Sequence, residues 1–518
     1  MVVHAESSPD GRWAEYCIQR KKMSIAMTAL ARPPGSPFEA LRSWRRSCRI
    51  GPPRATTGRE IRLRRNFVYN ILMIREWIGG RSDDAPAGRR RTGMTAQTVD
   101  RRDDVLVVGA GVVGMASALA LQLAGLTVTV VDRGEPGDAC SRGNAGHFAT
   151  EQIFPLPAPG ILKEVPGMLL NPLGPLRVRW QYLPRLAGWM MRCLAASRPQ
   201  AFAAGTEALR SLTSRAIEAY EPLIRAAEME DLIVRRGSIL AFETARGLAS
   251  GRHEAQAMAA NGVPVQMLSP GDLADLEPAL AGGMAGGVLF PATAHTLDPW
   301  RLVQRLADRF RAGGGRLVKA EIVSLQTGPG GVRALDGDGR GWSARKLVVA
   351  GGALSATLCR SFGRSVPLEA ERGYHLMLPR PGVSLNRPVT SGERKFIMTP
   401  MMDGLRLAGT VEFASHDAPP DYRRAEVLRS HAARLLPGLS KPGEEGGAVP
   451  WMGRRPTLPD YLPVIGPEPR APDVIWAFGH QHLGLTLAGI TSRIVTDLVR
   501  GTNSPGIDLT PFRIERFA

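Results

Sequence analysis

A glycine-rich turn between an apolar strand and a helix constrains the fold of this chain more than any other feature of its sequence. Residues 105–108 (Val-Leu-Val-Val) are apolar without interruption, as in a strand buried on both faces of a parallel sheet. They run into Gly-Ala-Gly-Val-Val-Gly at 109–114, followed by an Ala/Leu-rich predicted helix at 115–124. A second apolar strand at 128–131 ends on Asp132. This order of strand, glycines, helix, strand and acid predicts a Rossmann-like unit that binds a dinucleotide.

The residues of this unit have separate physical tasks. Gly109 permits the tight turn, Gly111 lets the backbone approach a pyrophosphate, and Gly114 lets helix and strand pack closely. Asp132, 23 positions after Gly109, can accept hydrogen bonds from ribose hydroxyls and disfavours the 2′-phosphate of NADP. NAD and FAD both remain open at this point. The predicted cofactor contacts are Gly109, Ala110, Gly111, Val112, Val113, Gly114, Asp132 and Arg133.

A short segment downstream favours FAD. Residues 140–146 read Cys-Ser-Arg-Gly-Asn-Ala-Gly, and here the chain resembles the D-amino acid oxidase superfamily, most closely the bacterial D-amino acid dehydrogenases. In that family a Ser-x-x-Asn-Ala-Gly segment follows the second strand and wraps the FAD diphosphate and the flavin edge. The resemblance therefore implies FAD as cofactor and adds Ser141, Asn144, Ala145 and Gly146 to its contacts. It gives no reason to expect a covalent flavin link at Cys140 or His147.

Further stretches match the same family in order, so that the resemblance covers roughly residues 100–517. They are Thr-Leu-Asp-Pro-Trp at 296–300, Leu-Val-Val-Ala-Gly-Gly-Ala-Leu-Ser at 347–355, and a closing segment from Gly-Arg-Arg-Pro at 453–456 to residue 486. The chain departs from the family at Leu354, where Trp is usual, and at Arg454, where Leu is common. The further FAD contacts that the resemblance implies are Val323, Gly351, Gly352, Gly479, His480, Gly484, Leu485 and Thr486.

The expected fold class is α/β, with a Rossmann-like FAD-binding domain and a substrate domain built on a mixed antiparallel sheet, as in glycine oxidase and D-amino acid oxidase. An amphipathic helix is predicted over 209–230. The FAD-binding domain is assigned to residues 100–165, 291–365 and 451–518, and the substrate-binding domain to 166–290 and 366–450.

The strong positive charge of the chain is concentrated at its N-terminus. Residues 1–93 hold 17 Arg and 2 Lys against 8 acidic residues, and thus supply 11 of the 18 net positive charges. They show no sustained period of 2 or 3.6, so they are predicted to be a disordered or non-native extension, with Met94 as the natural start. A basic tail of this kind is usually solvated, and nucleic-acid binding is not expected.

Cysteine spacing and hydropathy bear on the compartment. The five cysteines include no CxxC pair and lie near no histidines at metal-ligand spacing, which predicts a reducing cytoplasm and no metal site. No run of about 18 apolar residues is present. The Leu-rich stretch 161–170 could lie on a membrane surface, which would suit a quinone or respiratory-chain electron acceptor at the inner face of the cytoplasmic membrane.

The chemistry that the resemblance implies is oxidative deamination of a small D-amino acid, with hydride passing from Cα to flavin and an imino acid as product. Arg455 occupies the Arg that anchors the substrate carboxylate in glycine oxidase-like members, and Arg454 is its alternative. Tyr374 and His375 are predicted to line the pocket, although Tyr374 could equally be a core residue. His482, like the neighbouring His480, could hydrogen-bond flavin or substrate, or cap the following helix.

The substrate is less well defined. The sequence at 458–463 and 479–486 most resembles that of dehydrogenases of hydroxyproline catabolism, which suggests D-proline or cis-4-hydroxy-D-proline as substrate. Sarcosine and glycine are rival substrates. Two other classes stay open: a tRNA-modifying FAD protein, suggested by the basic N-terminus, and a non-catalytic flavoprotein subunit of an electron-transfer complex.

Overall fold

A computed structural model of the chain describes residues 103–160, 174, 176–415, 417–502 and 506–517. The predictions for residues 1–93 and for the stretch 161–170 fall outside these ranges. None of the helices within them combines the length and apolar character that crossing a bilayer requires.

The described ranges contain twenty strands in two large sheets and one small one. The strands are β1 (Asp103–Val108), β2 (Val128–Asp132), β3 (His147–Phe148), β4 (Leu176–Val178), β5 (Ile233–Val234), β6 (Ser238–Phe242), β7 (Gln266–Leu268), β8 (Gly286–Phe290), β9 (Ala294–Thr296), β10 (Arg316–Lys319), β11 (Ile322–Gly328), β12 (Gly331–Asp336), β13 (Gly341–Val349), β14 (Glu369–Leu378), β15 (Val389–Ser391), β16 (Phe396–Met401), β17 (Gly404–Phe413), β18 (Val449–Thr457), β19 (Val464–Glu468) and β20 (Ala471–Phe478).

Ten α-helices occur in the same ranges, together with short 3-10 turns that include Gly352–Leu354 and Gln481–Leu483. The helices are α1 (Val112–Leu123), α2 (Leu183–Ala196), α3 (Pro199–Thr213), α4 (Ala216–Ala226), α5 (Ala245–Ala260), α6 (Pro270–Leu276), α7 (Pro299–Ala312), α8 (Ser355–Cys359), α9 (Arg423–Leu435) and α10 (Gly484–Arg500).

The first large sheet is parallel at its centre. Strands β10, β2, β1, β13 and β20 pair in that order, all parallel, and β11, β12 and β19 add antiparallel pairs at its edges. Val105 and Val107 of β1 pack into one core with α1, α7 and α10, whereas Leu106 and Val108 pack into a second core on the other face. Burial on both faces is why this strand is apolar at every position. The Rossmann-like part of the predicted fold is confirmed.

The second large sheet is mainly antiparallel. Its order is β18, β14, β17, β16, β15, β6, β8 and β7, with β4 beside β17, and only the β15–β6 and β17–β4 pairs are parallel. Helix α9 packs against β14 and β17. The predicted α/β class with an antiparallel substrate sheet is therefore confirmed. Residues 451–457, assigned from sequence to the FAD-binding domain, lie on β18 and extend this second sheet.

The helix predicted over 209–230 is interrupted in the structure, and this part of the sequence interpretation is wrong. α3 ends at Thr213 and α4 begins at Ala216, with Arg215 in a non-helical conformation (φ −110°, ψ 1°). Tyr220 and Leu223 of α4 pack in the core beside α1, whereas Leu212 of α3 and Ala216 of α4 pack in a separate cluster with α10. The apolar periodicity continues through the break, so the sequence pattern alone does not reveal it.

Candidate active site

The turn between β1 and α1 forms a cradle that excludes side chains. Gly109 has a φ of +111°, and a Cβ at Gly114 would lie 1.9 Å from the Gly109 carbonyl oxygen, so any side chain there would collide with backbone. Gly111 is the N-cap residue of α1 and has no side chain with which to cap the helix. Within the described residues the N–H groups of Val113 and Gly114 have no hydrogen-bond partner. A helix N-terminus with free donors suits an anionic diphosphate.

Asp132 lies beside this cradle, at the end of β2. Its carboxylate accepts hydrogen bonds from the N–H groups of Ala110 (2.7 Å) and Gly134 (2.8 Å), so it fixes the glycine turn at the place where the sequence predicts a ribose contact. The next residue, Arg133, forms an exposed ion pair with Glu321 at 3.4 Å. Val323, near the start of β11 and two residues after Glu321, has a half-exposed side chain.

The segment predicted to wrap the cofactor lies against α1. Ser141 Oγ accepts a hydrogen bond from the N–H of Val112 at 3.0 Å, which joins the segment to the first turn of that helix. The Asn144 side chain accepts from the N–H of Gly146 at 2.8 Å and so shapes the turn that contains Ala145. The structure thus brings together two groups of predicted cofactor residues that the sequence separates.

The other predicted contacts lie at two turns next to the second sheet. Gly351 and Gly352 precede Ser355, whose buried hydroxyl has no partner among the described residues. Gly479 and Gly484 bound the turn that opens α10, and no side chain caps this helix. Strand β18 contacts both turns, through Gly352–Leu354 and Gln481–Leu483.

Side chains in the second of these turns are partly engaged within the protein. The ring of His480 is hydrogen-bonded through Nε2 to Thr491 Oγ1 on α10 at 3.0 Å. Thr486 Oγ1 accepts from the N–H of Ala149 at 3.0 Å. The carbonyl of Leu485 accepts from the Tyr220 hydroxyl at 2.7 Å. What these residues still offer to a cofactor is the N-terminal backbone of α10, with its partial positive charge.

Arg455 lies where β18 meets these turns. Its Nη1 donates to Glu371 Oε1 at 3.0 Å, and the side chain keeps 22% of its surface exposed. Burial lowers the pKa of His482 to about 3, and the Arg455 guanidinium contributes to this shift. Burial raises the pKa of Cys140 to about 11, against the opposing effect of the same guanidinium. Arg455 therefore lies near both the 140–146 segment and the turn before α10.

Arg454 and Arg455 are consecutive residues of one strand, so their side chains point to opposite faces of the sheet. Burial lowers the pKa of Arg454, and the nearby Arg372 adds to this effect. Arg372 itself is buried and pairs with Glu412 at 3.4 Å. Arg454 thus faces a cluster of charges of its own, whereas Arg455 faces Glu371 and the predicted cofactor segments.

The two predicted pocket-wall residues of β14 have different surroundings. Tyr374 is 1% exposed, and its hydroxyl donates to Glu412 at 2.7 Å and accepts from the N–H of Asp421 at 3.2 Å. This placement is that of a core residue with a satisfied hydroxyl, the alternative that the sequence left open. His375 lies on the other face, stacked on Trp451 with ring centroids 5.0 Å apart, and its Nδ1 is 3.0 Å from the Gly143 carbonyl oxygen.

The site histidines are uncharged at neutral pH. Burial lowers the pKa values of His375 and His480, as of His482, to about 3. Positive charge near the 140–146 segment therefore comes from arginines. One of these, Arg406 on β17, was not identified from the sequence, and neither were Trp451 and the role of Glu371. The alternation of residues along a strand does not identify these three residues, because the groups that they contact lie far away in the sequence.

The residues present fit FAD. The glycine turn offers a diphosphate cradle without side chains, Asp132 offers a carboxylate at the predicted ribose position, and Ser355 has a buried hydroxyl without a partner among the described residues. The side chain of the N-cap residue does not cap α10. Within the described ranges no group of three or more His, Cys, Asp and Glu side chains could hold a metal ion.

Comparison with known proteins agrees with this arrangement. Residues 104–498 match the family model described as DAO, FAD dependent oxidoreductase. The chain is 36% identical to a D-amino-acid oxidase of Bradyrhizobium diazoefficiens over 416 residues, which cover 80% of this chain and 98% of that protein. It is 31% identical to D-amino acid dehydrogenase 2 of Ralstonia nicotianae over 430 residues, 80% of this chain and 100% of the relative.

Solved structures show the same fold. Glycine oxidase from Geobacillus kaustophilus superposes with a TM-score of 0.61 at 23% sequence identity, covering 80% of this chain and 99% of that one. The family match spans well over half of the chain, and the D-amino-acid oxidase relative exceeds 30% identity over nearly its whole length. The chain therefore belongs to the DAO family of FAD-dependent oxidoreductases.

Proposed function

We propose that this protein oxidises small D-amino acids at the Cα–N bond. The observation that carries the proposal is the position of Arg455, a partly exposed guanidinium on the antiparallel sheet beside both predicted flavin segments. FAD, when bound, accepts the hydrogen of Cα together with two electrons as hydride. The protein's own task is then to bind the substrate, orient its Cα–H bond and exclude water.

Arg455 is suited to hold a substrate carboxylate. A guanidinium has five N–H donors in a fixed fork, and its bond to Glu371 Oε1 leaves others for a carboxylate in a bidentate arrangement. The buried Glu371 limits the rotation of the guanidinium before substrate arrives. A D-amino acid bound by its carboxylate in this way has a defined Cα position relative to the cofactor.

The histidines act as neutral hydrogen-bond partners rather than as bases. With pKa values of about 3, His375 and His482 hold a proton too weakly to accept one from the substrate ammonium at neutral pH. The amine must nevertheless be neutral when hydride leaves, because its lone pair forms the C=N bond of the imino acid. The substrate therefore loses its ammonium proton to solvent, and the site binds the neutral amine.

The finer substrate assignment rests on the sequence resemblance and on the relatives' names. D-proline or cis-4-hydroxy-D-proline is our specific choice, and sarcosine or glycine is the alternative. The relatives named for D-amino acids favour the first pair over the second.

Anaerobic bleaching of the flavin band tests this proposal. The panel contains D-proline, cis-4-hydroxy-D-proline, other D-amino acids, the matching L-amino acids, sarcosine and glycine. We expect rapid bleaching with small D-amino acids and none with their L-enantiomers. If only sarcosine or glycine bleached the flavin, the substrate would be one of these amines rather than a chiral D-amino acid. No bleaching by any of them, together with RNA binding by a protein that lacks residues 1–93, would favour the tRNA-modifying class.

We further propose an acceptor other than oxygen, such as a quinone, near a membrane surface. Several relatives are named dehydrogenases, although one is named an oxidase. Trp180, in the turn before α2, and Leu183 and Met191 on α2 are exposed, and no Asp or Glu occurs between residues 165 and 206. An apolar, basic surface of this kind suits an anionic bilayer. Hydrogen peroxide formation in air at the rate of dye reduction would contradict this acceptor.

A further inference from the structure

Two side chains of the antiparallel sheet hold three successive carbonyl groups of the 140–146 segment. Arg406 Nη1, on β17, donates to the carbonyl oxygen of Asn144 at 2.5 Å and lies 3.4 Å from that of Arg142. Between them, the carbonyl oxygen of Gly143 accepts from His375 Nδ1, on β14, at 3.0 Å. Residues more than 200 positions away in the chain thus fix this turn of backbone.

A third strand closes over the same turn. The Trp451 ring, on β18, lies so close to Gly143 that a Cβ at this glycine would be 2.2 Å from the ring. The ring stacks on His375 with an interplanar angle of 15°. A side chain at position 143 would therefore displace Trp451 and His375 together, and the turn has one conformation that fits beneath the sheet.

The direction of the held carbonyls decides where the N–H groups point. In a trans peptide the C=O and N–H are planar and point in opposite directions. The carbonyls of Arg142 and Asn144 belong to the same peptide units as the N–H groups of Gly143 and Ala145. Since both carbonyls point to Arg406, both N–H groups point away from the sheet. Neither has a hydrogen-bond partner among the residues that the structure describes.

We propose that Arg406 is a positioning residue for the cofactor: by holding the carbonyls of Arg142 and Asn144, it presents the N–H groups of Gly143 and Ala145 to FAD. These two N–H groups, together with the unpartnered N–H groups of Val113 and Gly114 at the start of α1, form a site for electronegative atoms of the cofactor. This role links the substrate sheet to the cofactor, and it does not depend on which amine is oxidised.

The charge of Arg406 supports this role. No carboxylate of the described ranges lies within ion-pair distance of its guanidinium, in contrast to Arg372 and Arg455 of the same sheet, so its bonds go to carbonyl oxygens. Burial lowers its pKa to about 10, which leaves it positively charged at neutral pH. A charged donor makes stronger bonds to carbonyls than a neutral one.

The test compares Arg406→Met with Arg394→Met in the full chain. Arg394 is a matched control in the turn between β15 and β16 of the same sheet, since it makes two charge-assisted bonds to Glu243, at 2.7 and 2.8 Å, and within the described residues makes no hydrogen bond to the 140–146 segment. The dissociation constant of FAD is measured by fluorescence on adding FAD to the apoprotein, and the melting temperature of each apoprotein is measured beside it. We expect Arg406→Met to weaken FAD binding about tenfold to a hundredfold and Arg394→Met to change it less than about twofold. Equal FAD affinities in the two variants, with equally lowered melting temperatures, would overturn the proposal.

Two further variants keep the proposal testable if Arg406→Met folds poorly. Arg406→Lys retains the charge but carries rotatable donors on a flexible stem instead of a rigid, planar guanidinium, so we expect a loss of FAD affinity between wild type and Arg406→Met. His375→Phe keeps a ring for Trp451 to stack on and loses the bond to Gly143. If Arg406 and His375 hold one turn, the loss in the double variant with Arg406→Lys is smaller than the product of the single losses. Wild-type affinity in both single variants would reject the role of this turn.

Discussion

Arg455 and Glu371 are direct neighbours across strands β18 and β14, and the Arg455 Nη1 lies 3.0 Å from Glu371 Oε1. The carboxylate is buried, and its other oxygen accepts a hydrogen bond from the Thr457 hydroxyl at 3.2 Å. An arginine held on one side by such a carboxylate has a fixed orientation and remaining donors on the other side. This pair is the basis of our proposal that Arg455 positions the substrate.

Glu371→Gln tests the support of this arginine. Glutamine keeps the shape and one acceptor oxygen but loses the charge, so the guanidinium is held less firmly. We expect kcat/KM for a D-amino acid to fall about tenfold, since a charge-assisted bond contributes about 1.5–3 kcal/mol and part of it remains. The preference for a carboxylate substrate should persist.

A control for this variant is Asp460→Asn, which weakens the separate pair between Asp460 and Arg516 (2.7 Å). It should lower the melting temperature slightly and leave kcat/KM within about twofold. If Glu371→Gln behaved in the same way as this control, Glu371 would have no part in orienting Arg455.

Asp132→Ala should weaken FAD by about 1–3 kcal/mol, the range for hydrogen bonds with a charged partner. The carboxylate also accepts from the N–H groups of Ala110 and Gly134, so its loss should loosen the glycine turn in addition to removing the proposed ribose contact. Asp132→Asn keeps one acceptor oxygen, so its FAD affinity should lie between those of wild type and Asp132→Ala. Flavin content after dialysis measures the effect, and a wild-type content in Asp132→Ala would refute the assignment.

The pH dependence of kcat/KM should follow the substrate rather than the enzyme. Burial keeps the pKa values of His375 and His482 at about 3 and raises that of Cys140 to about 11, so these groups do not titrate near neutrality. We expect kcat/KM to rise with pH toward the pKa of the substrate amine. Two substrates whose amines differ in pKa should give profiles displaced by that difference. A rise at one fixed pH for both would point to an enzymic base instead.

Acid should destabilise the protein through buried histidines. Burial lowers the pKa of His295 to about 4 and those of His375 and His480 to about 3, against about 6.5 in the unfolded chain. Below about pH 6.5 these histidines bind protons in the unfolded state but not in the folded state. The free energy of unfolding therefore falls as the pH drops toward about 4. Each histidine contributes on the order of 1 kcal/mol between pH 7.5 and 5.5.

His295→Gln measures one of these contributions, because His295 is 1% exposed and lies outside the predicted FAD contacts. We measure the free energy of unfolding in urea at pH 7.5 and at pH 5.5. Its decrease between the two pH values should be smaller in this variant than in wild type, by about 1 kcal/mol. An unchanged difference would mean that this histidine is already protonated in the folded protein.

Local sequence spacing predicted the parts of the site that are close in the chain. The glycines from Gly109 to Gly114, and Asp132 after them, belong to one βαβ unit whose geometry is set by its own residues. Contacts across the antiparallel sheet could not be predicted in this way. Arg406 and Asn144 are 262 positions apart, and Arg455 and Glu371 are 84 apart. Strand pairing brings them together, and a single sequence carries no marker of strand order.

Tyr374 illustrates the same limit within one strand. The sequence places it next to His375 in a stretch expected to line the pocket, and consecutive residues of a strand face opposite sides. Only one of the two could therefore face the cofactor segments. The structure directs His375 to Gly143 and Tyr374 to Glu412 in the core. Helix α9 packs on the face of the sheet where Tyr374 lies and buries that face. The sequence does not show on which face this helix packs, so it could not show which of the two residues faces the cofactor segments.

The central claim is that Arg455 holds the substrate carboxylate, and the most direct test is Arg455→Met measured on two substrates. One is a D-amino acid and the other is its decarboxylated amine, with Arg454→Met as a control on the opposite face of β18. Loss of a bidentate, charge-assisted contact and of alignment should lower kcat/KM for the D-amino acid on the order of a hundredfold, with FAD still bound. The amine should be affected little, and Arg454→Met should keep the preference for the carboxylate. Equal losses on both substrates in Arg455→Met, or a flavin-poor protein, would contradict the account.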